Sequence, residues 1–264
     1  MSLLPHKRNL ETKINGNYKR EGKFFDVFMK QNYILWNKKN MKLTGMEKKD
    51  IFTRVDWFTE YLDKIDFINL KGRPQGKQKN WITPQSKLRP SVLEEFVYYL
   101  LKDIPLIDDL RLKFTNKKVF AGLSISPEGN ILIKEKDVDV ALVKEEKASV
   151  GVNPVSVAVP AVAIEVKTYL DKTMWSEAQF TAQLIKRGNP ACSVYVVAET
   201  NAVAIEELLP ESPVNEIFII RRNSESEVDK NTVYDFFCEV KDALSKIQET
   251  IVRQPPGRLL HPRC

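Results

Sequence analysis

Val159-Pro160-Ala161-Val162-Ala163-Ile164-Glu165-Val166-Lys167-Thr168 is the run whose reading decides the fold. Ala161 to Ile164 read as a buried strand, apolar on both faces and flanked by valines. Glu165 and Lys167 follow at its end, and residues two apart on a strand share a face. Upstream, Asp137-Val138-Asp139-Val140 opens a second apolar run, Val138 to Val143. If these two strands pair, an aspartate, a glutamate and a lysine converge at one sheet edge. Two carboxylates offer oxygen ligands to a hard divalent cation. Such a cation beside an ammonium activates water and stabilises charge building on a phosphate. The residue types therefore point to metal-dependent phosphodiester hydrolysis, with a solvated strand end as the competing reading.

Composition removes several other classes. The chain has 264 residues, 43% hydrophobic and 29% charged, enough for one sizeable domain or a domain with a subdomain. No apolar stretch reaches the length a bilayer requires. The run Met1 to Arg8 is too short for a secretory signal and carries its charges after its apolar residues. Cys192, Cys238 and Cys264 are scattered without C-x-x-C spacing, which argues against a disulfide framework or zinc site and for a reducing cytoplasm. The only histidines, His6 and His261, lie near the termini, so a central imidazole nucleophile system is not supplied. No phosphate-cradling glycine loop is present.

Charge is unevenly spread. Residues 1–89 hold 20 Lys or Arg against 9 Asp or Glu, a net of +11, while the remainder carries −5. A basic front half beside a nearly neutral catalytic half fits a polyanionic partner, and equally a surface that serves solubility. Residues 1–43 interleave aromatic residues with lysines, too many large apolar groups for disorder. From Met46 to Ile68, Ile51, Val55, Phe58, Leu62 and Ile65 recur at helical steps. Residues 71–90 read as a loop by their glycines and prolines. There Arg73, Lys77, Lys79, Lys87 and Arg89 suit phosphates, while Gln75, Gln78 and Asn80 suit base edges; a solvated linker is the alternative.

Ser91 is expected to cap a helix Val92 to Lys102, with Glu94 completing a capping box and Glu95 beside Phe96 in the apolar stripe. Strands are predicted at Lys118–Ile125, Ile131–Lys134, Asp137–Val143 and Val155–Thr168, with Lys144–Asn153 a connecting loop. Asp171 caps a predicted helix Lys172–Arg187, whose other side carries Gln179, Gln183, Lys186 and Arg187 and which stops at Gly188-Asn189-Pro190. A strand Ser193–Ala198, a helix Ala202–Leu209, a strand Glu216–Ile220 and an amphipathic helix Val233–Val252 complete the order. This alternation describes a mixed α/β fold with a mixed sheet flanked by helices.

These residues resemble type II restriction endonucleases of the PD-(D/E)xK superfamily, and within it the BbvCI-like group, whose members cut short asymmetric duplex sites with two different subunits. The resemblance runs roughly from Pro90 to Thr200 and is carried by Glu95-Phe96, Val138-Asp139-Val140, Glu165-Val166-Lys167-Thr168 with Asp171-Lys172, Lys186-Arg187, and Glu199-Thr200. Val138 stands where the superfamily's name places proline. The resemblance implies a restriction-endonuclease-like central mixed sheet and a basic, mostly helical N-terminal region. It implies Asp139 and Glu165 as Mg2+ ligands (Mn2+ substituting), Lys167 as the water-orienting or charge-stabilising base, and Glu95 as an auxiliary acid. It also implies double-stranded DNA as substrate, a second nuclease subunit or a homodimeric copy as partner, and a prokaryotic cytoplasm as location. Arg73, Lys77, Lys79, Lys87, Arg89, Gln179, Gln183, Lys186 and Arg187 are the expected DNA contacts.

The expected organisation is a DNA-recognition or subunit-contact region over 1–89, a nuclease domain over 90–252 and a loose tail over 253–264. Two alternatives keep the same fold: a structure-selective repair or recombination nuclease, and a non-catalytic DNA-binding subunit. A restriction enzyme leaves discrete fragments from a plasmid carrying its site, whereas a repair nuclease prefers branched or damaged DNA.

Overall fold

The structure, a computed structural model, describes residues 3–16, 19–71, 87–150, 153–204 and 212–252. Helices come first: α1 (Pro5–Ile14), α2 (Lys19–Phe28), a π-helical turn (Met29–Tyr33), α3 (Ile34–Lys42) and α4 (Lys48–Lys71). Next come α5 (Leu88–Leu101), α6 (Pro105–Asp109), β1 (Lys113–Thr115), β2 (Lys118–Ile125), β3 (Ile131–Asp137), β4 (Val140–Val150) and β5 (Asn153–Leu170). The chain continues with α7 (Lys172–Gly188), β6 (Ser193–Asn201), β7 (Glu216–Ile219) and α8 (Lys230–Val252). The predicted loop residues 72–86, most of the predicted helix Ala202–Leu209 and the tail 253–264 lie outside the described residues.

Five strands form one mixed sheet in the order β1-β4-β5-β6-β7. β4 pairs antiparallel with β5, whereas β6 and β7 run parallel to it. The run Val159 to Thr168 is therefore the centre of the sheet, which is why it is apolar on both faces. Val140, Leu142, Val162, Ile164 and Val166 face one side and Ala141, Val143 and Ala163 the other.

Each face has its own core. The first joins the sheet to α5, α8 and the N-terminal helices through Leu10, Phe25, Phe58, Leu62, Phe96 and Phe236. Phe58 and Phe96 stack there with ring centroids 4.0 Å apart. The second core sets the smaller strand residues against Trp175, Ala178, Ala182 and Ile185 of α7. Burying each of the large side chains stabilises the fold by about 1.5–3 kcal/mol.

β2 and β3 form a separate two-stranded ribbon that docks on α7. The contact is backbone on backbone. A Cβ on Gly188 would lie 2.5 Å from Gly122 N and from Ala121 C, and Gly122 itself has φ +133°.

Two expectations need correction. α5 begins at Leu88, three residues before the predicted cap, and the Ser91 hydroxyl donates to Leu88 O at 2.7 Å inside the helix. Pro90 suggested a break, but in a first turn its missing N–H has no partner to lose. The predicted loop Lys144–Asn153 is strand, with Lys144 opposite Val159 and Val150 opposite Asn153 in a long hairpin. Its charges mark a solvated ribbon rather than a loop. The short elements α6 and β1 carry too little periodicity to be seen in the sequence.

Candidate active site

The register Val140↔Ile164 brings Asp139, one residue before β4, alongside Glu165 and Lys167 on β5. The Val166 N–H donates to Asp139 Oδ2 at 2.8 Å and fixes that carboxylate against the strand. Lys167 Nζ lies 2.9 Å from Glu165 Oε2 and 3.4 Å from Asp139 Oδ2. The ammonium thus sits between the two carboxylates. The Glu165 and Lys167 side chains retain 9% and 17% exposure and that of Asp139 31%, so the group is sheltered yet reachable.

Burial and the Asp139 charge push the Glu165 carboxyl above its ordinary value, against the pull of Lys167. Burial draws Lys167 down, but Asp139 and Glu165 outweigh it and hold the ammonium above its ordinary value. Lysine is therefore the charged member that makes two crowded carboxylates tolerable.

These residues line a cleft of about 740 Å³. Glu94 of α5 lines it too, and burial together with the nearby Asp139 charge pushes its carboxyl up to about 8. Lys87, Lys136, Asp137, Glu177, Phe180 and Thr181 complete much of the wall, with Pro5, Arg8 and Asn9 from α1. Asp171 caps α7, the helix that carries Glu177 and Phe180, by accepting from the Met174 N–H at 2.8 Å.

Glu95 is elsewhere, and this corrects its expected place beside the metal ligands. Its carboxylate is fully buried on another side of α5 and accepts from His6 N, Lys7 N, Tyr33 Oη and Tyr99 Oη at 3.0, 3.2, 2.8 and 2.5 Å. Adjacent helical residues are about 100° apart, so one of the two glutamates turns away when the other meets the cleft. Arg89 is likewise committed. It bonds Glu199 Oε2 at 2.7 Å and also Asp66, and Glu199 is shared with Arg221 at 3.5 Å. Those partners leave it no free guanidinium for a phosphate.

Lys87 is exposed at the cleft, whereas Gln179, Gln183, Lys186 and Arg187 are not among its lining residues. Arg73, Lys77 and Lys79 lie outside the described residues. Sequence reasoning passed over Glu94, Arg8 and Lys136. Only Glu94 had a signal, its adjacency to Glu95.

Among the described residues no group of three or more His, Cys, Asp or Glu closes into a metal cage. Two carboxylates remain, which suits a cation that keeps waters and takes further ligands from a substrate phosphate, as Mg2+ does. A soft-metal site has no ligands here.

The Asp…Glu-x-Lys group thus sits where two neighbouring strands of the mixed sheet meet a cleft open to solvent. A family model described as Bpu10I restriction endonuclease matches residues 85–243. The chain belongs to that family. Among solved structures it is similar to one titled "native BbvCI A2B2 tetramer at low resolution", with 21% identity, a TM-score of 0.71, and coverage of 92% of this chain and 95% of that one. None of the curated protein sequences matches it. Among the described residues no helix is long and apolar enough to cross a membrane.

Proposed function

We propose that this chain is a catalytic subunit of a Mg2+-dependent type II restriction endonuclease that hydrolyses phosphodiester bonds at a short duplex DNA site. The observation that carries the reading is Lys167 Nζ held between Asp139 and Glu165 on the floor of an open cleft. Asp139 and Glu165 are the cation ligands. They would hold a Mg2+ ion, which would supply Lewis-acid stabilisation of the phosphate and a water of lowered pKa. Lys167 offers its ammonium to the charge that develops on the attacked phosphate and orients the entering water. The Val166 N–H keeps Asp139 aimed along the sheet edge. Glu94, which lines the cleft and whose carboxyl burial pushes up to about 8, is the auxiliary acid in place of Glu95. Lys87 contacts the backbone of the duplex.

One Asp…Glu-x-Lys group addresses one strand, and the two strands run in opposite polarity. We therefore propose that a second subunit cuts the other strand. The A2B2 assembly named for the similar BbvCI structure supports an unlike partner over an identical copy. Residues 1–89 serve DNA recognition or subunit contact.

The test incubates the purified chain with supercoiled plasmid and Mg2+, followed by sequencing of the ends. The chain alone should nick or stay silent, and linearise plasmid only with its companion subunit. Lys167→Ala and Asp139→Asn should abolish strand cleavage and leave duplex binding measurable. A folded Lys167→Ala protein that cleaves at the wild-type rate refutes the assignment. A symmetric homodimer that linearises plasmid unaided refutes the two-subunit part.

A further inference from the structure

One wall of the cleft belongs to α1, far from the strands in sequence. Arg8 lies in the same cleft as Asp139, Glu165 and Lys167. It is exposed and forms no ion pair among the described residues, whereas its neighbour Lys7 is engaged by Glu11 at 3.7 Å.

The backbone beneath Arg8 is fixed at several points. The first turn of a helix leaves N–H groups without internal partners, and Glu95 accepts two of them, from His6 and Lys7. The His6 ring is itself bonded between Ser91 Oγ at 3.1 Å and Tyr61 Oη at 2.8 Å. On the other side, Asn9 Nδ2 donates to Lys87 O at 3.2 Å. Arg8 therefore stands between two anchored residues. A solvated guanidinium on so rigid a base awaits a counter-anion, and its planar fork of donors matches phosphate. On the nuclease reading the scissile phosphate falls to Lys167 and to the cation that Asp139 and Glu165 would hold, which leaves a neighbouring one for Arg8.

We propose that Arg8 contacts a backbone phosphate of the duplex next to the scissile one, and that Glu95 is the positioning residue that keeps α1 where Arg8 reaches it. This rests on the nuclease reading of Asp139, Glu165 and Lys167. It gives a role in the reaction to the buried carboxylate that does not line the cleft.

The test measures affinity of the full chain for a fluorescent mixed-sequence duplex across a salt series, with Ca2+ replacing Mg2+. Arg8→Ala should weaken binding about tenfold and reduce the slope of log affinity against log salt by about one unit. Arg8→Lys should restore the slope. Glu95→Gln should produce a similar loss with faster hydrogen exchange along α1. Adding Arg8→Ala to Glu95→Gln should cost little more, because the contact is already gone. Wild-type affinity and slope in Arg8→Ala, or full additivity of the two losses, overturns the proposal. Asp139→Asn in the plasmid assay separates the two readings. If it is inactive while Arg8→Ala binds as wild type, only the Arg8 assignment falls. If it cleaves normally, the nuclease reading falls and takes this one with it.

Discussion

Glu94 and Glu95 are consecutive on α5, yet one lines the cleft with Asp139 and Lys167 while the other is fully buried among tyrosines. On the proposed reading, adjacent glutamates divide chemistry from architecture. Glu94→Gln should fold with wild-type stability and lose cleavage by about tenfold or more, in the range of a lost acid–base group. Glu95→Ala should destabilise the protein by about 3 kcal/mol, since it strands two hydroxyls and two amide groups without an acceptor. Chemical denaturation of both variants beside the plasmid assay checks the division. Equal stability loss in the two variants would refute it.

The cluster around Glu95 carries two opposed pH dependences. Burial lowers His6 from 6.5 to about 3, so its contribution is present above pH ~6.5 and is lost as pH falls toward 3. Burial raises Glu95 from 4.5 to about 7, so its contribution is complete below pH ~4.5 and is lost as pH rises through 7. Each slope is about 1.4 kcal/mol per pH unit, and between the two ordinary values they cancel. Glu95→Gln removes one of them. Its stability relative to wild type should then climb by about 1.4 kcal/mol per unit from pH ~4.5 to ~7. A difference independent of pH in denaturant titrations would contradict the assignment.

Arg89 should behave as a structural cation. Arg89→Ala leaves Glu199, whose side chain is 3% exposed, with only Arg221. The expected loss is about 3–5 kcal/mol of stability, the cost of breaking a buried pair. The salt dependence of duplex binding should stay at the wild-type slope. A drop of about one unit in that slope in a folded Arg89→Gln protein would return Arg89 to the phosphate contacts.

Gly188→Ala should detach the ribbon from α7. The added methyl meets the backbone at Ala121 and Gly122, which cannot swing aside as a side chain would. A loss of about 1–3 kcal/mol follows from overpacking, readable as a lowered thermal midpoint. Because Lys136 and Asp137 close β3 at the cleft, cleavage should fall as well. Wild-type stability and cleavage together would show that the close approach is dispensable.

How much the sequence disclosed depended on the range of the signal. The central strand was legible because burial on both faces writes an unbroken apolar run, and Asp171 because a cap is a local event. The pairing that sets Asp139 beside Lys167 followed from two short patterns read together. What escaped was the direction in which side chains point. Glu94 and Glu95 differ only in rotation about α5, and that rotation is set by contacts with α1 and with Tyr33 on the π-helical turn. Arg89 looked like its neighbour Lys87 until Asp66 and Glu199 arrived from distant elements. The charged hairpin strands were missed because an exposed ribbon needs no hydrophobic alternation on one side.

The first of the two cores holds residues from Leu3 to Ile65 together with Phe96, Val97 and Ile164. The N-terminal helices and the sheet that bears the carboxylates therefore share one apolar core. An engineer who wished to graft a foreign front half onto this chain would unmake the α5 helix that brings Glu94 to the cleft. Shuffling of whole segments, by laboratory or by lineage, is closed to such a molecule. Changes to the cleft must arrive one side chain at a time, on walls already in place.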